Sequence, residues 1–311
     1  MVYLLPFFTV LIWGGNAIVN KLAADTLEPS AMSFFRWLTA VVVLSPFCLP
    51  QLNKYKYVIK THFAKLAFLA LLGMVLNQSL GYYAALTTSA SNMALITSLV
   101  PLFSVFISAA LLNKRISALS LVGAVISLAG LAFMLGNGDI SFIFNLEISQ
   151  GDGLMLLAAV VYATYCVLLK RWKMPISNWM LIYVQGLFAV VMLTPLWLSS
   201  HQVIPSNASL PLIAYAGLLA SVIAPWLWVK SIDIIGAENS AMFMNLLPVI
   251  AIVLAATLLG ETIHQYHVIG GLMVISGVVL SQIKLHNKQR GSQTTQHAIF
   301  EGDDKAVQKP L

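Results

Sequence analysis

The chain has 311 residues, of which 59% are hydrophobic and 9% are charged, and its formal net charge is +6. Soluble globular domains carry about 25% charged residues, so this composition excludes a soluble fold and places the chain in a lipid bilayer. Cys48 and Cys166 both lie in apolar stretches. This excludes a disulfide framework and indicates two small buried side chains.

Ten apolar stretches follow one another along the chain, each of about 20 residues and long enough to cross a bilayer as a helix. Helices are expected because lipid offers no partner for unpaired backbone groups. The stretches are 4–24, 30–50, 63–84, 90–112, 118–136, 153–170, 178–199, 210–230, 239–259 and 265–284. The sequence therefore predicts an all-α membrane domain over 1–284 and, over 285–311, a polar tail that is disordered and cytoplasmic.

The pattern of the first five spans recurs in the second five. Three positions of the first half recur 147 residues later in the second, namely Pro101 as Pro248, Gly123 as Gly270, and Gly130 as Gly277. We interpret the chain as two five-helix repeats, 4–136 and 153–284. Because each repeat has an odd number of spans, the second must lie inverted in the membrane, which is the architecture of alternating-access carriers.

Basic residues indicate which way the spans face, because they concentrate in cytoplasmic loops. With the N-terminus inside, 15 of the 17 lysines and arginines fall on the cytoplasmic side, four of them in or just after the predicted loop 51–62. We expect an integral protein of the bacterial inner membrane with both termini cytoplasmic. The basic charge then reflects topology and contact with membrane lipids, and it is no evidence for nucleic acid.

Polar and aromatic side chains inside the spans are the candidates for binding a solute. In chain order they are Asn16, Arg36, Asn77, Gln78, Tyr82, Tyr162, Tyr165, Gln185, Trp226 and Asn245. An amide in a span must find partners, so it faces inward and either joins helices or lines a pathway. Trp226 and the two tyrosines near 160 lie too deep to be interfacial residues. Such a set suits a small zwitterion or carboxylate with an apolar part.

Arg36 is the sharpest of these features, since a charged side chain within a bilayer costs about 2.5–3.5 kcal/mol on lenient scales and should face protein or water. One interpretation is an anchor for a solute carboxylate, for which a guanidinium is well shaped. The other is a structural group that ties helix ends or loop carbonyls together. The sequence leaves both open.

Pro101 and Pro248 are the candidates for gating. Each removes a backbone hydrogen bond and should interrupt its helix, and a carrier can use such an interruption as a hinge. Membrane helices also tolerate proline without a functional reason. The glycines at 123, 130, 270 and 277 predict close packing between the fifth and tenth spans.

Several short motifs carry a family resemblance. They are Trp13-Gly14-Gly15-Asn16, Pro29 seven residues before Arg36, the two interrupting prolines, Leu258-Leu259-Gly260-Glu261, and the glycines that follow. Together with ten spans and a duplication, they resemble the EamA-type transporters of the drug/metabolite transporter superfamily. The first copy departs from that pattern, with Asn113-Lys114-Arg115 where the family usually has Gly-Glu. The resemblance implies a ten-helix carrier, usually an exporter of amino acids or related metabolites.

No acidic residue falls in the middle of a span, and Asn16 stands where the related small multidrug resistance proteins place a glutamate. We therefore hypothesise facilitated or exchange transport, or coupling through a group near a span end such as Glu238, rather than a buried carboxylate relay. The sequence offers no catalytic or metal-binding constellation, so we predict neither an enzyme nor a cofactor or metal. The expected partner is a small-molecule solute, and the sequence is also compatible with a homodimer. A channel-like facilitator and a non-transporting receptor or scaffold are the alternatives.

Overall fold

The computed structural model describes residues 3–112, 116–139, 149–201, 204–235 and 243–282. Within these ranges every regular element is helical, which confirms an all-α protein. Eight of the described helices are long and apolar enough to cross a membrane, and Leu247–Leu258 and Gln265–Ser281 are shorter apolar helices. The first part of the predicted ninth span and the tail 285–311 lie outside the described residues.

Eleven helices are labelled here in chain order. They are α1 Leu4–Ala24, α2 Pro29–Cys48, α3 Leu52–Thr61, α4 Phe63–Ala84, α5 Ala90–Leu112, α6 Ala118–Leu135, α7 Gln150–Trp172, α8 Asn178–Leu198, α9 Leu210–Ile235, α10 Leu247–Leu258 and α11 Gln265–Gln282. Ser89, Ser117, Ser149 and Ser177 each cap the helix that follows, because each hydroxyl accepts a hydrogen bond from the backbone N–H three residues on.

The prediction of a loop over residues 51–62 is wrong, because most of this segment forms the amphipathic helix α3. A short 3₁₀ turn, Leu49–Gln51, joins α2 to α3. On α3, Leu52, Tyr55 and Ile59 pack against the core, whereas the lysines are exposed. The spacing of these three apolar residues puts them on one face of a helix. The segment was interpreted as a loop because of its lysines, and the helical spacing of its few apolar residues was overlooked.

Both predicted helix interruptions occur. In α5 the helical segments Ala90–Thr97 and Val100–Leu112 meet just before Pro101, and in α10 a 3₁₀ turn, Met244–Leu246, precedes Pro248. Each proline is the second residue of the segment that follows the break, where its missing N–H costs nothing. Pro46 and Pro195 lie inside α2 and α8, which continue through them.

Two of the described helices widen into π-helical segments at similar places. These are Ala70–Leu76 in α4 and Tyr215–Ile223 in α9, the third long helix of each half of the chain. A π turn hydrogen-bonds five residues apart rather than four, so it changes which side chains and carbonyls face a neighbouring helix, and such turns often lie at functional sites.

The helices of the two halves pack in matching pairs. Helix α2 packs on α8, α5 on α10, and α6 on α11. Two further sets of contacts between the halves match, since α1 packs on α9 and α10 as α7 packs on α4 and α5. Each of these contacts maps onto itself or onto another when the halves are exchanged. In contrast, α2 packs on α4, and α1 on α5, without a comparable contact among the described residues of the second half.

Glycines let α6 and α11 touch through their backbones. A Cβ added at Gly123 would lie 2.4 Å from the carbonyl oxygen of Gly277, and one at Gly130 would lie 2.7 Å from that of Gly270. The early residue of one helix thus meets the late residue of the other, so the two helices run antiparallel. The predicted close packing of these spans is confirmed, and its cause is the absence of a side chain at four positions.

Candidate functional site

Arg36 forms the centre of a buried polar cluster between α1, α2, α4 and α9. Its side chain is only 4% exposed. The Nε group donates to the hydroxyl of Ser221 at 2.9 Å, and Nη1 donates to Asn16 Oδ1 and to the Tyr82 hydroxyl, each at 3.2 Å. Asn16 in turn donates to Asn20 at 3.3 Å. The cluster therefore brings together three of the predicted site residues, namely Arg36, Asn16 and Tyr82.

The partners of Arg36 are all neutral. They are one amide and two hydroxyl groups, and no carboxylate contacts the guanidinium within the ranges that the structure describes. In the same ranges Nη2 makes no hydrogen bond. A buried cation is normally paired, because taking an isolated charge out of water is costly. This arrangement leaves a positive charge with an unused donor inside the bundle, which suits an anionic group of a ligand.

Tyr162, Tyr165 and Gln185 form a second group next to this cluster. The two tyrosine rings on α7 are stacked, with centroids 5.6 Å apart and planes 21° apart. Tyr162 lies within electrostatic range of Arg36 and beside the thiol of Cys166. Gln185 on α8 lies beside Tyr165 and is completely buried, yet neither of its amide atoms makes a hydrogen bond with normal geometry.

The π-helical segments fix the helices around both groups. The indole of Trp37 donates to the Met74 carbonyl in the first π segment at 2.8 Å, and the indole of Trp13 donates to the Ala220 carbonyl in the second at 3.1 Å. Ser221, the partner of Arg36, lies in the second segment and donates to the Ala216 carbonyl. The widened turns thus present carbonyls that tryptophans on α1 and α2 bind.

Glycines in the two π-helical segments allow close contact with the neighbouring helices. A Cβ at Gly73, in the first π segment, would lie 2.7 Å from the ring of Tyr165, and a Cβ at Gly217, in the second, would lie 2.9 Å from the Arg36 carbonyl oxygen. The Tyr165 ring therefore packs directly on the backbone of α4. The two halves of the chain meet where the candidate residues gather.

Among the described residues, no hydrogen bond joins the remaining predicted site residues to Arg36 or the tyrosine pair. Asn77 and Gln78 are half-buried on α4 and make no hydrogen bond with the described part of the chain. Trp226 is 41% exposed, and the Lys230 ammonium lies 4.8 Å from its ring centre. The structure places Trp226 in a cleft between α8 and α9, apart from the residues that contact Arg36. The side chain of Asn245 lies outside the described residues.

Sequence reasoning missed Ser221 and Asn20 as members of the cluster, and Trp37 as the neighbour of Arg36 that binds the first π segment. A serine or an asparagine in a span is common and carries no signal alone, and Trp37 is adjacent to the charge that drew attention. The signal that could have found Ser221 is the widened turn, which propensity does not reveal. Hydrogen bonds to carbonyls of π segments depend on tertiary packing.

A second polar network closes one end of the bundle. The ammonium of Lys21 donates to the Ala85 and Thr88 carbonyls at 2.8 and 2.9 Å. Asp152, which is buried at the start of α7, accepts from the Thr88 hydroxyl, from Asn92 at 3.3 Å and from Ser149 at 2.6 Å. This network ties α1, α4, α5 and α7 together at the end that the sequence predicts to be outside.

Glu261 adds a further tie at the same end. Its carboxylate accepts from the backbone N–H groups of Ala90 and Ser91 at 2.8 and 3.2 Å, and from the Ser91 hydroxyl at 2.7 Å. It therefore caps the positive N-terminus of α5 from the loop before α11. The first half of the sequence has Lys114 where the second has Glu261, so the same cap is not encoded at the other end.

The chain was compared with known proteins. The model of the EamA-like transporter family matches it over residues 1–136 and again over 149–282. The chain belongs to this family. The predicted resemblance is thereby confirmed, and the protein is an integral membrane transporter.

Named relatives of this transporter agree with that assignment. It is 26% identical to an uncharacterized transporter of Archaeoglobus fulgidus over 91% of the chain and 98% of the relative. It is 24% identical to the uncharacterized transporter YyaM of Bacillus subtilis, over 89% and 92% of the two chains. A crystal structure of a protein aligns with a TM-score of 0.61 at 17% identity, over 94% and 98% of the two chains, which shows the shared fold.

Proposed function

We propose that this transporter is a secondary carrier for a small zwitterion or carboxylate, most specifically an amino acid, and that it works as an exporter. The observation that carries the proposal is the Arg36 guanidinium, which is buried, bound only to neutral groups in the described chain, and left with Nη2 unused. A carboxylate supplies both the missing negative charge and the missing acceptor.

The rest of the solute would contact the tyrosine pair and Gln185. The stacked rings of Tyr162 and Tyr165 offer an apolar wall next to the cation. The buried amide of Gln185 offers an NH₂ group with two N–H donors and a carbonyl oxygen acceptor, and an unsatisfied buried polar group costs about 1–3 kcal/mol. A solute whose carboxylate binds Arg36 and whose second polar group reaches Gln185 would satisfy the amide on binding. An α-amino acid has both groups.

We propose alternating access as the mechanism, with the two halves of the chain related by inversion. Three observations support it. The family model matches each half once, the main helix contacts between the halves map onto one another when the halves are exchanged, and the equivalent helices α6 and α11 run antiparallel. Two inverted halves can rock about the Arg36 cluster, which lies where they meet, and Pro101 and Pro248 would serve as hinges in this motion.

The structure is then a state closed at the outer end. The Lys21, Asp152 and Glu261 network ties that end shut. At the opposite end a cleft of about 380 Å³ lies between α8 and α9, lined by Trp179, Trp226 and Lys230 among others. With both termini cytoplasmic, as the distribution of basic residues favours, this cleft lies on the cytoplasmic side, and we propose that the entrance for the exported solute opens from it towards Arg36.

A counter-flow screen tests the proposal. Purified protein is reconstituted in liposomes loaded with one solute from a panel of amino acids, nucleobases and organic acids, and uptake of the labelled solute is measured. The expected result is saturable uptake that the loaded solute accelerates, for a narrow set of α-amino acids or carboxylates. Exchange restricted to cations, or uptake unaffected by the loaded solute, would contradict it.

A further inference from the structure

An apolar groove opens on the surface of the bundle between α3, the start of α4, and α8. It has a volume of about 620 Å³, which is within the range of about 300–1,000 Å³ typical of small-molecule sites. Its α8 wall runs from Val184 to Val191, about 10 Å along the helix. Phe63 and Phe188 meet edge to face, with ring centroids 5.0 Å apart, so the groove has a rigid aromatic base.

Two lysines line one side of this groove. Lys56 and Lys60 are one turn apart on α3, so their ammonium groups lie on the same face as the groove. Both side chains are exposed, and neither forms an ion pair with the described part of the chain. The sequence has no acidic residue between 29 and 138 or between 153 and 232. The positive charge beside the groove is therefore uncompensated by the helices that form it.

The position of the groove matches that of a lipid. Helix α3 is amphipathic, with Leu52 packed on the core and Tyr57 81% exposed, as is typical of a helix that lies in the membrane interface. Helix α8 begins at that interface and crosses the membrane, so the groove leads from the lysines into the apolar region of the bundle. Apolar contacts there run along α8 to Val191, which is 69% exposed.

We propose that this groove binds one anionic phospholipid, with its phosphate on Lys56 and Lys60 and the first part of an acyl chain along α8. Charge and shape together favour this occupant, because a zwitterionic lipid would gain little from two lysines and a soluble anion would gain nothing from the apolar wall. The inference needs only the membrane location of the chain, and it stands whether or not the transported solute is an amino acid.

Native mass spectrometry of the detergent-purified transporter tests the proposal. The protein is titrated with dioleoyl phosphatidylglycerol or with dioleoyl phosphatidylcholine, and bound lipids are counted. Each lysine near an anionic headgroup contributes roughly fivefold to affinity, so the Lys56→Gln/Lys60→Gln variant should lose about 30-fold for phosphatidylglycerol. Its affinity for phosphatidylcholine should change less than twofold. A Leu187→Trp variant, which fills the groove without changing the charge, should weaken binding of both lipids.

The matched control is Lys54→Gln/Lys170→Gln, which removes the same charge from exposed positions that do not line the groove. It should bind phosphatidylglycerol within twofold of the unmodified protein. Equal affinity for the two lipids, or an equal loss in the control, would overturn the proposal. So would glycerol phosphate without acyl chains competing at the lipid's own concentration, or a dimer whose formation displaces the lipid.

Discussion

Replacement of Arg36 by lysine keeps the buried charge but removes the planar guanidinium. In the protein Nε binds Ser221 and Nη1 binds Asn16 and Tyr82, which leaves Nη2 for a solute. A lysine ammonium has three donors at a single nitrogen, so it cannot hold these three groups and also present a separate donor to a carboxylate.

The expected loss follows from the hydrogen bonds. A hydrogen bond to a charged group contributes about 1.5–3 kcal/mol, so loss of the Nη2 contact should weaken binding of a carboxylate solute by about 10- to 150-fold. Arg36→Gln also removes the charge and should abolish measurable binding. Ser221→Ala removes the Nε partner but keeps the guanidinium, so it should lower stability by about 1–3 kcal/mol and change affinity less than fivefold.

The assay pairs solute affinity, measured by scintillation proximity, with thermal unfolding of each purified variant. A binding role requires that Arg36→Lys lose affinity while its Tm stays close to that of the unmodified protein. If Arg36→Lys unfolds early and its folded fraction binds the solute normally, the guanidinium has a structural role and the proposed carboxylate site is refuted.

Three further predictions concern the frame of the bundle. Gly277→Ala should cost about 1–3 kcal/mol in stability, because its Cβ would lie 2.5 Å from the Gly123 carbonyl oxygen. Gly153→Ala, with no neighbour within 4 Å, should keep or slightly raise Tm, because alanine favours a helix more than glycine does; an equal loss of stability in the two variants would contradict the backbone contact. Trp37→Phe should lower the free energy of unfolding by about 1–3 kcal/mol, because the Met74 carbonyl in the first π segment loses the indole N–H that donates to it. An unchanged denaturation midpoint would contradict a stabilising role of this hydrogen bond. Glu261→Gln should speed amide hydrogen exchange in the first turn of α5, which it caps, and unchanged exchange there would show that the cap is unimportant.

Much of the fold follows from patterns that lipid imposes. Apolar length predicted the helices, because an unpaired backbone cannot exist in hydrocarbon, and prolines and glycines predicted the interruptions and the α6–α11 contact. The helix α3 was missed because its apolar face has only three residues, too few to stand out beside its lysines. The π segments were also missed, since they depend on packing against α1 and α2 rather than on local propensity.

The sequence predicts part of the polar cluster around Arg36, whereas a role of these residues in binding a solute stays a prediction. Asn16, Arg36 and Tyr82 meet in one cluster, as polar groups in lipid must, because each has to find a partner inside the bundle. Trp226 lies apart from this cluster and is 41% exposed, since depth along a helix does not reveal the direction in which a side chain points. The direction depends on the rotation of the helix, which is set by contacts that a single sequence does not display.

Thiol labelling of Cys166 tests the central claim most directly. Cys166 lies beside Tyr162 in the candidate site, and Cys48→Ala leaves it as the chain's single cysteine. In oriented vesicles a membrane-impermeant methanethiosulfonate should reach Cys166 from the cytoplasmic end alone. A transported solute should slow that reaction, and Asp152→Asn, which weakens the outer network, should open access from outside. Equal labelling from both sides before any change at Asp152, with no protection by solute, would contradict alternating access at this site.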